Sequence, residues 1–390
     1  MMHPGPKSTR RNRHSCRAWA RGGLFGVTIS VGVLALAMSV LSPAAQAAPS
    51  FRDVHVLAPM VRVSTLPTRL LALDYGADLV WTEEIVAAKI AGCERVPNAR
   101  LGTAEYYARG DPSRTRVFQT CERERGRVVF QVGVSTPEEA VAACRTVLQD
   151  IFAFEINMGC PKHFSVSGGM GAALLSKPDI VAEIVRALKK EFDIPITAKV
   201  RLLATVEETI AMMRNLEESG IDAITVHCRY KEQRPREPAH WDQLKALVES
   251  VKVPVLGNGN VYTYKDAVRW REESGCAGIM IARGAVENTS CFRKEGMLPV
   301  REVIEKHMRY CIQYEEVYQN IKYLYQRFFN EIMIPAGQLF CEITRSKSIE
   351  EMAQCLGQHA YYEELLAQRG APPEDFPWPS AEVNGKDKGS

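Results

Sequence analysis

"PITAKVRLLATVEETIAMMRNLEESGIDAITVHCR", residues 195–229, decides the fold. Its two ends, 195–202 and 223–229, are short apolar runs rich in Ile, Val and Thr, the composition and length of strands. Between them, Thr205-Val206-Glu207-Glu208 opens a helical pattern with a capping threonine and acids near the positive end of the dipole. Gly220 falls where that helix has to stop. Strand, helix and strand in this order form a βαβ unit, and the continuous apolar character of the strands implies a parallel sheet covered on its faces.

The same unit recurs outward in both directions. The other strand-like runs are "VHVLAPM" (54–60), "DLVWTEE" (78–84), "RVVFQVG" (127–133), "AFEINMGC" (153–160), "PVLGNGN" (254–260) and "GIMIARG" (278–284). Helical patterns such as "TPEEAVAACRTVLQD" (136–150), "PDIVAEIVRALKKEF" (178–192) and "HWDQLKALVES" (240–250) separate them. Pro137 and Pro178 stand at first-turn positions, and Gly275 ends a helix as Gly220 does. Eight units in about 235 residues predict an α/β fold, a TIM (β/α)8 barrel. A doubly wound open sheet is the alternative; no GxGxxG follows the first strand, which counts against it.

The barrel is expected over 51–299. Within it, 103–126 is too long for a plain link, and the alternation around Gly110-Asp111-Pro112 predicts a hairpin on the rim. From 300 to 378 the pattern turns helical, beginning with the long stretch "REVIEKHMRYCIQYEEVYQNIKYLYQRFFNEI" (301–332), and a small all-helical domain is expected there. A polar tail, 379–390, reads as disordered. Residues 1–50 read as a leader: six Lys/Arg and no acid, then an uncharged run ending near Ala45-Gln46-Ala47. A secretory signal, a signal anchor, an organelle transit peptide and a misplaced start all fit it.

Without the leader the chain carries 43 basic and 46 acidic residues, so the body is not a basic protein. Nucleic-acid binding would have to use a local patch. The 11 cysteines are odd in number and contain no CxxC, which counts against a disulfide framework or a zinc site and fits reduced thiols and no metal.

In such barrels the C-terminal strand ends carry the chemistry. Here they are Ala58, Pro59 and Met60; Glu83 and Glu84; Gln131; Asn157 and Cys160; Lys199 and Arg201; His227 and Arg229; Asn258, Gly259 and Asn260; and Ala282, Arg283 and Gly284. All eight runs ending in polar or small residues point to a site at one mouth. "GNGN" and "ARG" supply small residues, backbone N–H groups and a guanidinium where these barrels hold phosphate. Lys199, inside an apolar strand, is costly to bury without a neutralising anion, and a reduced flavin is one such anion. Cys160 faces the same mouth ahead of Gly168, Gly169 and Gly171, and an ordinary thiol pKa of ~8.5 lets it donate a proton near neutral pH.

"LAPMVRVSTLPTRLLALDYGADLVWTEEIV", "NMGCPK", "GGMGAALL", "AKVR", "VHCRYKEQR" and "NGN" resemble the flavin-dependent tRNA dihydrouridine synthases, above all the eukaryotic class acting at position 20 of the D-loop. The resemblance runs over about 54–370 and implies an FMN-binding TIM barrel followed by a helical tRNA-binding domain. It also implies a reaction: a reduced nicotinamide, NADPH or NADH, reduces FMN; hydride passes to C6 of a tRNA uracil; and Cys160 gives a proton to C5. By match of residues, Ala58, Pro59 and Met60 would pack on the flavin and Gln131 would hydrogen-bond its ring. Lys199 and His227 would sit beside it, and Asn258, Gly259, Asn260, Ala282 and Arg283 would hold its phosphate end. Asn157 would accompany the cysteine in a substrate set with Arg201, Arg229, Lys231 and Arg234, which are placed on loops beyond the strands. Lys306, His307, Arg309, Lys322, Arg327, Tyr310, Tyr314 and Tyr325 would supply further tRNA contacts, or pack the bundle. Two departures stand out: Cys228, where relatives have glycine, which could crowd the flavin, and "ENTSCF" (287–292), which puts Asn288 in doubt. The rival functions are an FMN barrel oxidoreductase acting on a small molecule and a catalytically inactive tRNA-binding protein. The resemblance implies an intracellular protein, cytoplasmic or mitochondrial, with no stable membrane partner for its body; oligomeric state is left open.

Overall fold

The computed structural model describes residues 50–234, 236–328 and 337–370. The leader-like segment 1–49, the end of the predicted domain at 371–378 and the tail 379–390 lie outside the described residues. Among the described residues there are twelve strands: β1 Val54–Leu57, β2 Leu79–Trp81, β3 Ile85–Val86, β4 Cys93–Asn98, β5 Thr103–Ala108, β6 Arg116–Cys121, β7 Val128–Gly133, β8 Ala153–Asn157, β9 Ile196–Leu202, β10 Ala223–Tyr230, β11 Val255–Asn258 and β12 Gly278–Ile281. All neighbours in the main sheet are parallel, in the order β2-β1-β12-β11-β10-β9-β8-β7, and a β2–β7 pairing closes the ring of eight. β3 adds two residues beside β7.

Local chemistry sets the units. Thr205 and Thr263 each form a reciprocal capping box, with Glu208 and Asp266, at the start of helices Val206–Ser219 and Tyr264–Ser274. Both helices end on a left-handed glycine, Gly220 at φ 97° and Gly275 at φ 69°. The helix faces bury Leu, Ile and Val against the outer side of the strands in one large cluster that also takes in the helical region.

The rim insertion is larger than a hairpin. β4, β5 and β6 form a three-stranded antiparallel sheet. β4, "CERVPN", has few apolar residues and contains a proline, so nothing in its own pattern marks it as a strand.

The long helical stretch is also broken, into Val300–Gln313 and Tyr318–Phe328. Glu315 sits in the left-handed region at φ 50° and pairs with Arg100, and the Tyr314 carbonyl accepts from Gln119. Glu316 then accepts from the N–H of Val317 and the amide of Asn320, and so starts the second helix. Groups on the rim sheet therefore hold the break. His307, Tyr310, Tyr314 and Tyr325 are all buried. His307 contacts Thr68 on the first barrel helix and Tyr325, so this aromatic set packs the seam between barrel and bundle.

Candidate active site

Inward-facing residues change character along the barrel axis. Near the N-terminal strand ends, Val54, Leu79, Val129, Ala153, Ala223 and Leu256 form an apolar plug with Trp81 and Met280. Steps of two along the strands then bring up Gln131, Glu155, Asn157, Lys199, Arg201, Thr225, His227 and Arg229. Register sets Gln131 beside Glu155, Asn157 beside Lys199, and His227 beside Asn258.

Above this layer opens a cleft of about 490 Å³, lined by Pro59, Met60, Glu84, Gln131, Asn157, Cys160, Lys199, Arg201, His227 and Arg283. That volume suits a cofactor or small ligand. Tyr323 and Arg327 of the helical region close one side, with the Arg327 guanidinium 3.4 Å from the Tyr323 ring centre.

The floor is polar and buried. Gln131 donates to Glu155 Oε2 at 2.7 Å and accepts from the Asn157 amide at 2.9 Å. Burial raises the Glu155 carboxyl and lowers Lys199, and the attraction between the two works against both shifts. Lys199 keeps a little solvent contact through the cleft, but the surrounding protein strips most of its water. It makes no ion pair among the described residues.

One end of the cleft is cationic. Arg229 and Arg283 both donate to Asn260 Oδ1, and Arg229 Nη1 lies 3.0 Å from His227 Nε2. Burial, then the charges of Lys199, Arg201, Arg229 and Arg283, holds His227 well below the ordinary histidine value, so its imidazole is neutral. Gly259 has φ 134°, and a Cβ there would come within 2.9 Å of Ala239.

The other end holds Cys160. Asn157 Oδ1 accepts from the N–H groups of Gly159 and Cys160 at 3.0 and 2.9 Å, an Asx-type turn that carries the thiol to the mouth. The following loop folds back so tightly that a Cβ on Gly171 (φ 58°) would lie 2.3 Å from Ser165 Oγ and 2.7 Å from the Cys160 carbonyl oxygen. Ser165 donates to Glu84 Oε1 at 3.0 Å, and Glu84 lines the cleft together with Cys160. Burial first, and the Glu84 charge second, push the thiol up to about 11. It is a thiol at neutral pH.

A barrel with this cleft is common to many chemistries; the sequence comparison narrows them. The profile of the family described as dihydrouridine synthase (Dus) matches residues 56–368. The chain belongs to the dihydrouridine synthase family. It is 41% identical over 287 residues to a Schizosaccharomyces pombe protein named tRNA-dihydrouridine(20) synthase, with NAD(P)+ in the name. That match covers 71% of this chain but 59% of the fission-yeast protein. A Saccharomyces cerevisiae protein of the same name is 34% identical over 332 residues, covering 78% of this chain and 83% of its own. A tRNA-dihydrouridine(20a/20b) synthase of S. pombe is 32% identical over 243 residues, 62% of this chain and 69% of that one.

In this member of the family most of the sequence-predicted residues fall into three sets. Pro59, Met60, Gln131, Asn157, Cys160, Lys199, Arg201, His227 and Arg283 line the cleft. Ala58, Asn258, Gly259, Asn260 and Ala282 lie at the strand ends around it, with Asn258 donating to the Met280 carbonyl. Lys231 and Arg234 stay exposed outside. Arg201 and Arg229 are not on loops: they lie within β9 and β10 and are buried. Arg201 donates to the carbonyls of Gly159, Tyr230 and Gln233, so it braces the Cys160 turn. Arg229 belongs to the cationic end. Cys228 is fully buried and faces the outer helices, because alternation sends it away from His227; it crowds nothing in the cleft. Asn288 caps its own turn, accepting from Ser290 and donating to the Leu298 carbonyl.

Sequence reasoning missed Glu155 and left Glu84 without a role. An acid inside the apolar run "AFEINM" is the signal for Glu155. Glu84 had none, since only the fold shows that it turns into the cleft while Glu83 accepts from the Arg62 backbone N–H.

Proposed function

We propose that the chain reduces a uridine in the D-loop of tRNA, at position 20, to 5,6-dihydrouridine, with FMN as resident cofactor and NAD(P)H as reductant. One observation carries the reading: Cys160, Lys199, His227 and Arg283 line a single cleft at the barrel mouth. The charge layout fits FMN. Lys199 is a largely desolvated cation without an ion pair, suited to the pyrimidine edge of a flavin, and Arg283 with its neighbours Asn260 and Gly259 suits a phosphate. Bound FMN would supply the hydride for C6 of the uracil.

The chain's own residues account for the rest. Ala58, Pro59 and Met60 give an apolar wall, and Gln131 presents its amide to the cofactor from the floor. Cys160 keeps its proton on Sγ near neutral pH and delivers it to C5, acting as an acid and not as a nucleophile. Asn157 and Arg201 fix the turn that carries it. A uracil has to leave its stack to reach this depth, at a cost of a few kcal/mol that phosphate contacts elsewhere must offset. Arg327 and Tyr323, at the cleft edge, are placed to meet the neighbouring nucleotide.

Purified protein should take up FMN and, with NADPH and tRNA lacking the modification, form dihydrouridine that maps to position 20. Failure to bind FMN would overturn the cofactor assignment; FMN binding with no dihydrouridine in any tRNA would overturn the substrate.

A further inference from the structure

Cys160 is surrounded mainly by cations. Lys199 rises from β9, Arg201 holds the Cys160 turn, and Lys162 follows two residues later. Such a setting normally lowers a thiol pKa and produces a reactive thiolate. A thiolate would be the wrong species for an acid, and it would be open to alkylation and oxidation. Glu155 acts on Lys199 from the floor and Glu287 also lines the cleft; the carboxylate that acts on the thiol is Glu84, which comes from the link after β2 and reaches the cleft. Its position is built. Ser165 donates to Oε1 at 3.0 Å, and a Cβ on Gly133 would come within 2.9 Å of the same oxygen, so the glycine leaves it room in this position. Ser165 in turn packs against the Gly171 turn that closes over Cys160.

We infer that Glu84 is the positioning residue of the acid: its carboxylate accepts the Cys160 S–H, aims it into the cleft and keeps it protonated. This rests on the proposed reaction, in which the S–H bond breaks as the C5–H bond forms while hydride arrives at C6. The thiolate left behind has to regain a proton from water before the next turnover, and the adjacent carboxylate favours that return. Burial raises both groups first, and the Glu84 charge adds to the rise of the thiol.

The test is the pH dependence of iodoacetamide alkylation at Cys160, followed by mass of its peptide, in wild type, Glu84→Gln and Glu84→Asp. Glu84→Gln should bring the thiol pKa down by about one unit or more, so alkylation below that pKa runs about tenfold faster. Glu84→Asp should hold most of the wild-type value. In parallel, dihydrouridine formation by Glu84→Gln should fall with its pH profile displaced to lower pH, with FMN content unchanged. An alkylation profile that does not move in Glu84→Gln would overturn the inference even if the wild type modifies tRNA. A shifted profile in a protein whose wild type reduces no uridine would uphold the Glu84–Cys160 pairing and overturn the reaction it was meant to serve.

Discussion

The cleft and the seam between barrel and helical region use the same side chains in opposite ways. At the seam, cations are matched to anions: Arg69 to Glu124 at 2.7 Å, Arg116 to Glu105 at 3.2 Å, Arg100 to Glu315 at 2.5 Å and Lys306 to Asp74 at 2.7 Å. In the cleft, Lys199 and Arg283 make no ion pair among the described residues, and His227 stays neutral among cations. Burial alone therefore does not distinguish structure from site. Arg69 is buried at 2% exposure, yet it is finished, with Ser64 and Gln119 carbonyls completing its shell. Lys199 and Arg283 have no such paired anion among the described residues, and a buried charge without one is what a bound anion completes.

The comparison can be broken at either side. Cys160→Ala should have the largest effect: dihydrouridine formation lowered by about 10²–10⁴-fold, with FMN content and unfolding midpoint unchanged. Loss of FMN in that variant would make the thiol part of the cofactor site and not of the acid. On the seam side, Arg69→Met leaves Glu124 buried without its partner and should cost about 3–5 kcal/mol in denaturant unfolding. A loss below about 1 kcal/mol would show the pair to be dispensable.

His307 sharpens the seam through pH. Burial lowers its folded pKa to about 3, while the unfolded chain carries the ordinary ~6.5. The unfolded state therefore binds the extra proton between these values. The stability His307 gives is fully present above about pH 6.5 and is lost as pH falls toward 3, at about 1.4 kcal/mol per unit. His307→Gln should lack that slope, as measured by unfolding at pH 7, 6, 5 and 4. The smallest stability effect belongs to the cleft. Arg283→Gln should change the unfolding free energy by less than about 0.5 kcal/mol, since no charge partner is lost. FMN affinity should nevertheless fall by about 10–100-fold, the worth of a charge-assisted hydrogen bond. Destabilisation by several kcal/mol would mean that Arg283 is structural.

Much of this was legible from residues alone. Each of the eight barrel runs contained a strand, and the cap at Thr205 and the stop at Gly220 stood where expected, because these are local effects of period, capping oxygen and φ. The same alternation made the lining of Gln131, Asn157, Lys199 and His227 readable. Runs such as "NMGC" overshot their strands, because turn residues that point into a cleft look like strand ends. β4 was invisible because its stability comes from pairing with β5 and not from its own apolar content.

By itself the sequence determined the barrel, its polar mouth and the thiol at that mouth, since all three follow from which residue type recurs at which step along the chain. Only the tertiary structure decided which charges were satisfied. It gave Arg229 to the cationic end and turned Glu84 into the cleft, and it broke the long helix at Glu315 by a partner on the rim sheet. The reason is physical: a side chain's period is set by its neighbours in sequence, but its charge is completed by groups far away along the chain.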